Sequence, residues 1–196
     1  SESLAATLEK PGPHFVFVPW IAGHGDALMK KVAAHSDANL TSLEIFLDSN
    51  NRETRMAISD FARGNPDSYR RLVLQHLIPL ARKIDGVLLS FDWHPVMREI
   101  AMACRQLGVP CILIPHESVF MDENKYYCDI HTGVDVPNCD LVLGWGKLQE
   151  RIFIERGFAP DRFFSVGSPK LDAVVTYRPQ LDYGAFCNVM GLEQSQ

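Results

Sequence analysis

Five short runs of this chain are apolar almost throughout, and each leads into a turn and then a segment of different periodicity. They are "HFVFV" (14–18), "GVLLS" (86–90), "PCILIP" (110–115), "DLVLG" (140–144) and "FFSVG" (163–167). A strand with almost no polar face has to be covered on both sides, as happens in parallel sheets flanked by crossover helices. A sixth run, "SLEIFL" (42–47), alternates and reads as a further strand. The intervening segments read as helices. One runs from Asp26 to about Ala34. Another covers 51–64 and stops at Gly64. A longer one begins near Pro66, with Leu72, Leu77, Leu80 and Ile84 on one face and Pro79 kinking or dividing it. Residues 94–108 space Val96, Ile100, Cys104 and Leu107 helically before Gly108, and 147–157 end at Gly157. Ser168 and Pro169 form a cap and first-turn pair for one more. The expected fold is α/β: a doubly wound, mostly parallel six-stranded sheet with helices on both faces.

Composition narrows the function. The chain has 196 residues, 46% hydrophobic and 22% charged, which is ample for one domain with its own core. A net charge of −5 and no Lys/Arg run argue against binding a nucleic-acid backbone. No apolar stretch nears the roughly 20 residues that span a bilayer. Residues 1–13 read as a polar lead-in without the pattern of a secretory leader. The five cysteines, at 104, 111, 128, 139 and 187, are odd in number and contain no C-x-x-C pair. They read as reduced thiols of a cytoplasmic protein, with no disulfide framework and no metal site.

Ligands of doubly wound sheets bind beyond the carboxyl ends of the strands. There the chain carries "PWIAGHGD", "SFDWHP", "PHES", "GWGK" and "GSP". His24, Gly25 and Asp26 suit substrate contact, although the glycines also suit a plain turn and Asp26 a helix cap. Asp92 suits the orientation of a histidine or hydroxyl, or a local cap; His94 suits substrate contact, or the start of the helix at Pro95. His116 is a candidate general base, because imidazole titrates near neutrality. Its plainer reading is a loop histidine bonded to backbone. Glu117 is a candidate orienter, base or hydroxyl ligand, with Ser118 beside it. "HESVF" is not H-E-x-x-H, since Phe120 stands where a second zinc histidine belongs. No serine sits in G-x-S-x-G. The long irregular stretch 116–139 includes Tyr126, suited to stacking on a sugar or to packing the loop down, and His131.

Two passages carry a resemblance. "DGVLLSFDWHPVMREIAMACRQLGVPCILIPHE" resembles a strand–helix–strand unit of GT-B glycosyltransferases. "DLVLGWGKLQERIFIERGFAPDRFFSVGSPKLD" is similar to the passage closing the N-terminal domain of CDP-glycerol glycerophosphotransferase-like and capsule or lipopolysaccharide glycosyltransferases, a plan shared by UDP-N-acetylglucosamine epimerases. The resemblance covers roughly 85–185. It implies a Rossmann-like, acceptor-side domain over 14–178. Residues 179–196 would then be a linker towards a nucleotide-binding C-terminal domain of the same parent chain.

The resemblance further implies a glycosyl or polyol-phosphate transferase building a bacterial surface polysaccharide. A nucleotide-activated sugar would be its donor, a glycan or lipid-linked molecule its acceptor, and no cofactor or metal is implied. His116 takes the place of the catalytic base, and Glu117 departs from the glycine usual there. Catalysis is thus expected from His116, Glu117 and Asp92, and substrate binding from His24, Gly25, Asp26, His94, Ser118, Tyr126 and His131. The expected location is the cytoplasm, with peripheral association at the inner membrane for work on lipid-linked glycans. A nucleotide-sugar epimerase-like enzyme of the same plan is the alternative, and a non-catalytic binding module a further one.

Overall fold

A computed structural model describes residues 8–21, 26–46, 50–116, 126–128, 133–168, 171, 174, 177–178 and 180–193, without the side chains of 26, 27, 29 and 33. Six strands form one all-parallel sheet in the order β2-β1-β3-β4-β5-β6. They are β1 (His14–Phe17), β2 (Asn39–Ser42), β3 (Gly86–Leu89), β4 (Cys111–Leu113), β5 (Leu141–Gly144) and β6 (Phe163–Ser165). The helices are α1 (Asp26–His35), α2 (Arg52–Gly64), α3 (Pro66–Leu77), α4 (Pro95–Leu107), α5 (Lys147–Glu155) and α6 (Tyr183–Met190). The expected doubly wound α/β fold is the observed one.

The order places β1 beside β3, with β2 outside one and β4 to β6 outside the other. The winding reverses between β1 and β3, and the carboxyl ends of that pair open the crevice where such sheets take ligands. β3 is buried at all four positions, as its run of apolar residues requires. One layer above the sheet, Val73 and Leu77 of α3 and Val96, Met97 and Ile100 of α4 are fully buried. Each such side chain stabilises the fold by about 1.5–3 kcal/mol.

Three local features differ from expectation. The second strand is "NLTS", not "SLEIFL". β2 is a sheet edge, half-buried at every position, so it needs no apolar signature. The apolar residues after it, Leu43, Ile45 and Phe46, pack over the core instead. The buried face of α3 is Tyr69, Val73 and Leu77, while Leu72 is 47% exposed, one residue out of phase. α3 ends before Pro79, as the proline demands. Finally, the segment expected to be a linker contains α6, capped by Asp182 Oδ1 accepting from Ala185 N–H and stopped by Gly191 at φ 65°. The helix expected from Ser168 and Pro169 falls largely outside the described residues.

Candidate functional site

The carboxyl edge of the sheet is lined with rings. Trp20 follows β1, Phe46 follows β2, Phe91, Trp93 and His94 follow β3, His116 follows β4 and Trp145 follows β5. Trp20 meets Phe46 edge-on at 5.2 Å and His94 at 5.6 Å. Phe91 lies 5.3 Å from His116, and Trp93 lies 4.9 Å from Tyr126.

His116 is half-buried beside the tip of β3. Its backbone N–H donates to Ser90 O at 3.2 Å, and its Nδ1 lies 3.0 Å from the same oxygen. A carbonyl only accepts, so Nδ1 carries the proton and Nε2 holds the lone pair of the neutral ring. The backbone bond expected as the plain reading therefore also fixes the tautomer that a general base needs.

Asp92 sits elsewhere in the economy of the site. It is fully buried, and both carboxylate oxygens are engaged. Tyr127 Oη–H donates to Oδ1 at 2.6 Å, and the backbone N–H groups of Asn138 and Cys139 donate to Oδ2 at 2.6 and 2.7 Å. One carboxylate thus clasps both ends of the segment 127–138. Arg156 and Arg105 reinforce it by donating to Tyr127 O and Asn138 O at 3.0 and 2.9 Å. The clasp holds Tyr127 at φ 42°, a left-handed conformation that costs a bulky residue roughly 1–2 kcal/mol. Packing of the Tyr127 ring on Phe153, 5.0 Å away, helps to hold it there. Burial raises the Asp92 pKa, with the donated hydrogen bonds pulling the other way. Asp92 is not the cap of α4.

That cap is His94. Its Nδ1 accepts from Val96 N–H at 3.4 Å, so the neutral ring carries its proton on Nε2, 3.2 Å from Ser59 Oγ. A nucleophilic serine would need the reverse, an Nε2 that accepts, so the Ser59–His94 pair is not built for acyl transfer. Burial, followed by the cations Arg63 and Arg98, lowers the His94 pKa to about 4. Between that value and the ordinary 6.5 the unfolded chain binds the extra proton, so stability falls as pH drops through this window. We expect His94→Asn, which keeps an acceptor at the cap, to flatten that fall. Urea midpoints at about pH 7 and about pH 5 for both proteins check it.

Of the remaining expected site residues, Tyr126 is half-buried against Trp93. His24, Gly25, Glu117, Ser118 and His131 lie outside the described residues, as does the side chain of Asp26, whose backbone opens α1. Of the expected site residues, His116 and Tyr126 therefore lie at this rim, and Trp93, which the sequence reading did not single out, lies there with them.

Sequence reasoning missed a set of buried polar atoms. Among the described residues, Ser90 Oγ, Gln149 Nε2 and Ser168 Oγ are buried without a hydrogen-bond partner. Ser90 and Ser168 follow β3 and β6, and Gln149 lies in the first turn of α5, the helix after β5. The signal in the sequence was "GWGKLQ", a glycine-flanked turn opening a helix with glutamine at its third position.

None of the five cysteines is in a disulfide; Cys111 Sγ and Cys139 Sγ approach to 3.5 Å in the core. Burial is the main factor raising the Cys139 pKa, to about 12, and such thiols are unreactive. No group of three or more His, Cys, Asp and Glu among the described residues is placed to hold a metal ion. No helix among them is long and apolar enough to cross a membrane.

The fold defined by this sheet is Rossmann-like, with the architecture of one lobe of a GT-B-like protein. No protein-family model and no curated protein matches the chain. Solved structures do. A UDP co-structure of MnaA from S. aureus superposes with a TM-score of 0.58 at 12% identity, covering 91% of this chain and 50% of that one. UDP-N-acetylglucosamine 2-epimerase from Rickettsia bellii gives 0.54 at 13% identity, covering 92% and 52%. The chain thus spans about half the length of the structures it matches. The resemblance to the CDP-glycerol transferase group finds no support among these neighbours; the shared Rossmann-like plan does.

Proposed function

We propose that the chain is the base-carrying lobe of a nucleotide-sugar enzyme, and that its reaction is of the epimerase kind. The observation that carries this reading is His116. It stands at a strand tip one strand from the switch point, with Nδ1–H tied to Ser90 O and its Nε2 lone pair set by that bond. One route that inverts a carbon bearing a single hydrogen removes that proton on one face and returns a proton on the other. A neutral imidazole with its Nε2 lone pair set suits the removal, and an imidazolium, protonated at Nε2, suits the return. The nucleotide-sugar class is suggested by the UDP and UDP-N-acetylglucosamine named for the structural neighbours. A second lobe of the same parent chain would hold the nucleotide, and no resident cofactor is needed.

A transferase is the second reading. The half-buried Trp93 and Tyr126 rings, 4.9 Å apart beside the crevice, favour it, because flat apolar rings suit an acceptor sugar. His116 would then deprotonate the acceptor hydroxyl. Peripheral association with a membrane belongs to this reading, through a lipid-linked acceptor. Incubation of the parent protein with UDP-N-acetylglucosamine in D2O separates the two. The epimerase reading expects a new sugar epimer carrying solvent deuterium, without any acceptor. The transferase reading expects no turnover until a glycan acceptor is added, and then an extended product.

A further inference from the structure

We propose that the N-terminus of α5 is a phosphate subsite, built by Gly146, Lys147, Gln149 and Ser168. This deepens the reading above by naming the charged group that the substrate presents.

No side chain caps the first turn of α5, so its leading N–H groups keep the partial positive charge of a helix start. The space there is open: a Cβ built on Gly146 meets no atom within 4 Å. Gln149, only 5% exposed, places its amide head at this end, because Oε1 accepts from Trp145 N–H at 2.9 Å. Nε2 shares the same amide carbon, so it lies at the helix start too, and it has no partner. A buried donor left unsatisfied costs about 1–3 kcal/mol, which an acceptor ligand would recover.

Ser168 Oγ is a second orphan, in a residue 9% exposed. It belongs to the same corner. Gly144 O accepts from Val166 N–H and Gly167 N–H, and a Cβ on Gly144 would fall 2.9 Å from Gln149 Oε1. Lys147 Nζ adds a cation, 2.7 Å from Glu150 Oε2. Glu150 is the opposing charge at this end, and it is turned to Lys147 and Ser165 Oγ.

Each group in need of a partner can donate: the Gln149 amide nitrogen, the Ser168 hydroxyl, which can also accept, and the backbone N–H groups of the first turn. Donors converging on a helix start suit an oxyanion. The corner also adjoins the candidate base, since Trp145 Nε1–H donates to Pro115 O at 2.7 Å, one residue before His116. The phosphate has two possible sources: the diphosphate of a nucleotide, or the monoester of a phosphorylated acceptor.

The test is a titration of the ¹⁵N-labelled chain with UDP, glycerol 3-phosphate and inorganic phosphate, following the amides of Lys147, Leu148 and Gln149 and the Gln149 side-chain NH2. We expect these resonances to shift, and Lys147→Glu and Ser168→Ala each to weaken binding about tenfold. A shift with UDP alone assigns the site to the nucleotide. An equal shift with glycerol 3-phosphate or inorganic phosphate assigns it to a monoester. Lys147 is 84% exposed at its side chain, so its variant tests the site without disturbing the core. No shift with any of the three, or shifts unchanged in both variants, overturns the proposal. His116→Asn should leave the titration intact. Lost phosphate binding therefore sinks this subsite alone, and unaltered turnover in that variant sinks the catalytic reading alone.

Discussion

Asp92→Ala is expected to destabilise the domain by about 3–5 kcal/mol, a large part of the roughly 5–15 kcal/mol that holds a typical domain together. The substitution leaves Tyr127 Oη and the N–H groups of Asn138 and Cys139 without their acceptor. It also releases the constraint that keeps Tyr127 at positive φ. Asp92→Asn should behave differently. Its Oδ1 accepts from both backbone N–H groups, and its Nδ2 donates to the tyrosine oxygen.

The pH dependence has a definite sign. Burial raises the folded-state pKa of Asp92 above the usual 3.8, so the native protein binds the proton more tightly than the unfolded chain. Stability contributed by the protonated form is present at low pH and lost as pH rises through the native pKa. The asparagine protein lacks that loss. Urea unfolding of the three proteins across the acid range reads all of this. An alanine variant within about 1 kcal/mol of the parent would show that the clasp is not holding the segment. The asparagine variant also separates roles: intact folding with full turnover leaves Asp92 a positioning group for the loop ends.

His116→Asn is expected to lower turnover of the parent enzyme by about 10²–10⁴-fold with little change in stability. The asparagine amide can still donate to Ser90 O, as Nδ1–H does, so the local bond survives. What disappears is the Nε2 lone pair. Turnover measured by epimer formation or by acceptor extension should fall in proportion, while the thermal midpoint stays near that of the parent. Retention of activity within about twofold would transfer the base role elsewhere, with Glu117 the next candidate.

The sheet was legible because five of its six strands lie in runs that are apolar almost throughout, although only β3 is buried at every position and the edge strand β6 leaves Phe164 exposed. β2 was misplaced because this edge strand carries no apolar run: three of the four residues Asn39–Ser42 are polar, and the apolar residues beyond it serve the core from a coil. His116 was legible as a polar residue ending an apolar run. The tie from its Nδ1 to Ser90 O was not, since the partner is 26 residues away. Asp92 shows the same limit more sharply. Its type and strand-end position suggested chemistry, but its donors come from 35 to 47 residues downstream. The orphan amide of Gln149 lies within a helix pattern that fits any polar residue equally well. Only the close approach of Gly144 and the bond to Trp145 reveal where it points.

Holding both ends of one segment on a single carboxylate separates the architecture of the domain from the content of that segment. Once Tyr127 and Asn138 are fastened, the length of chain between them matters little to closing the loop, and doubling it costs only about 0.6 kcal/mol. Insertions between the two anchor points are therefore expected to cost little while the fastening holds. The same two anchor points offer engineers a graft site whose ends are already fixed.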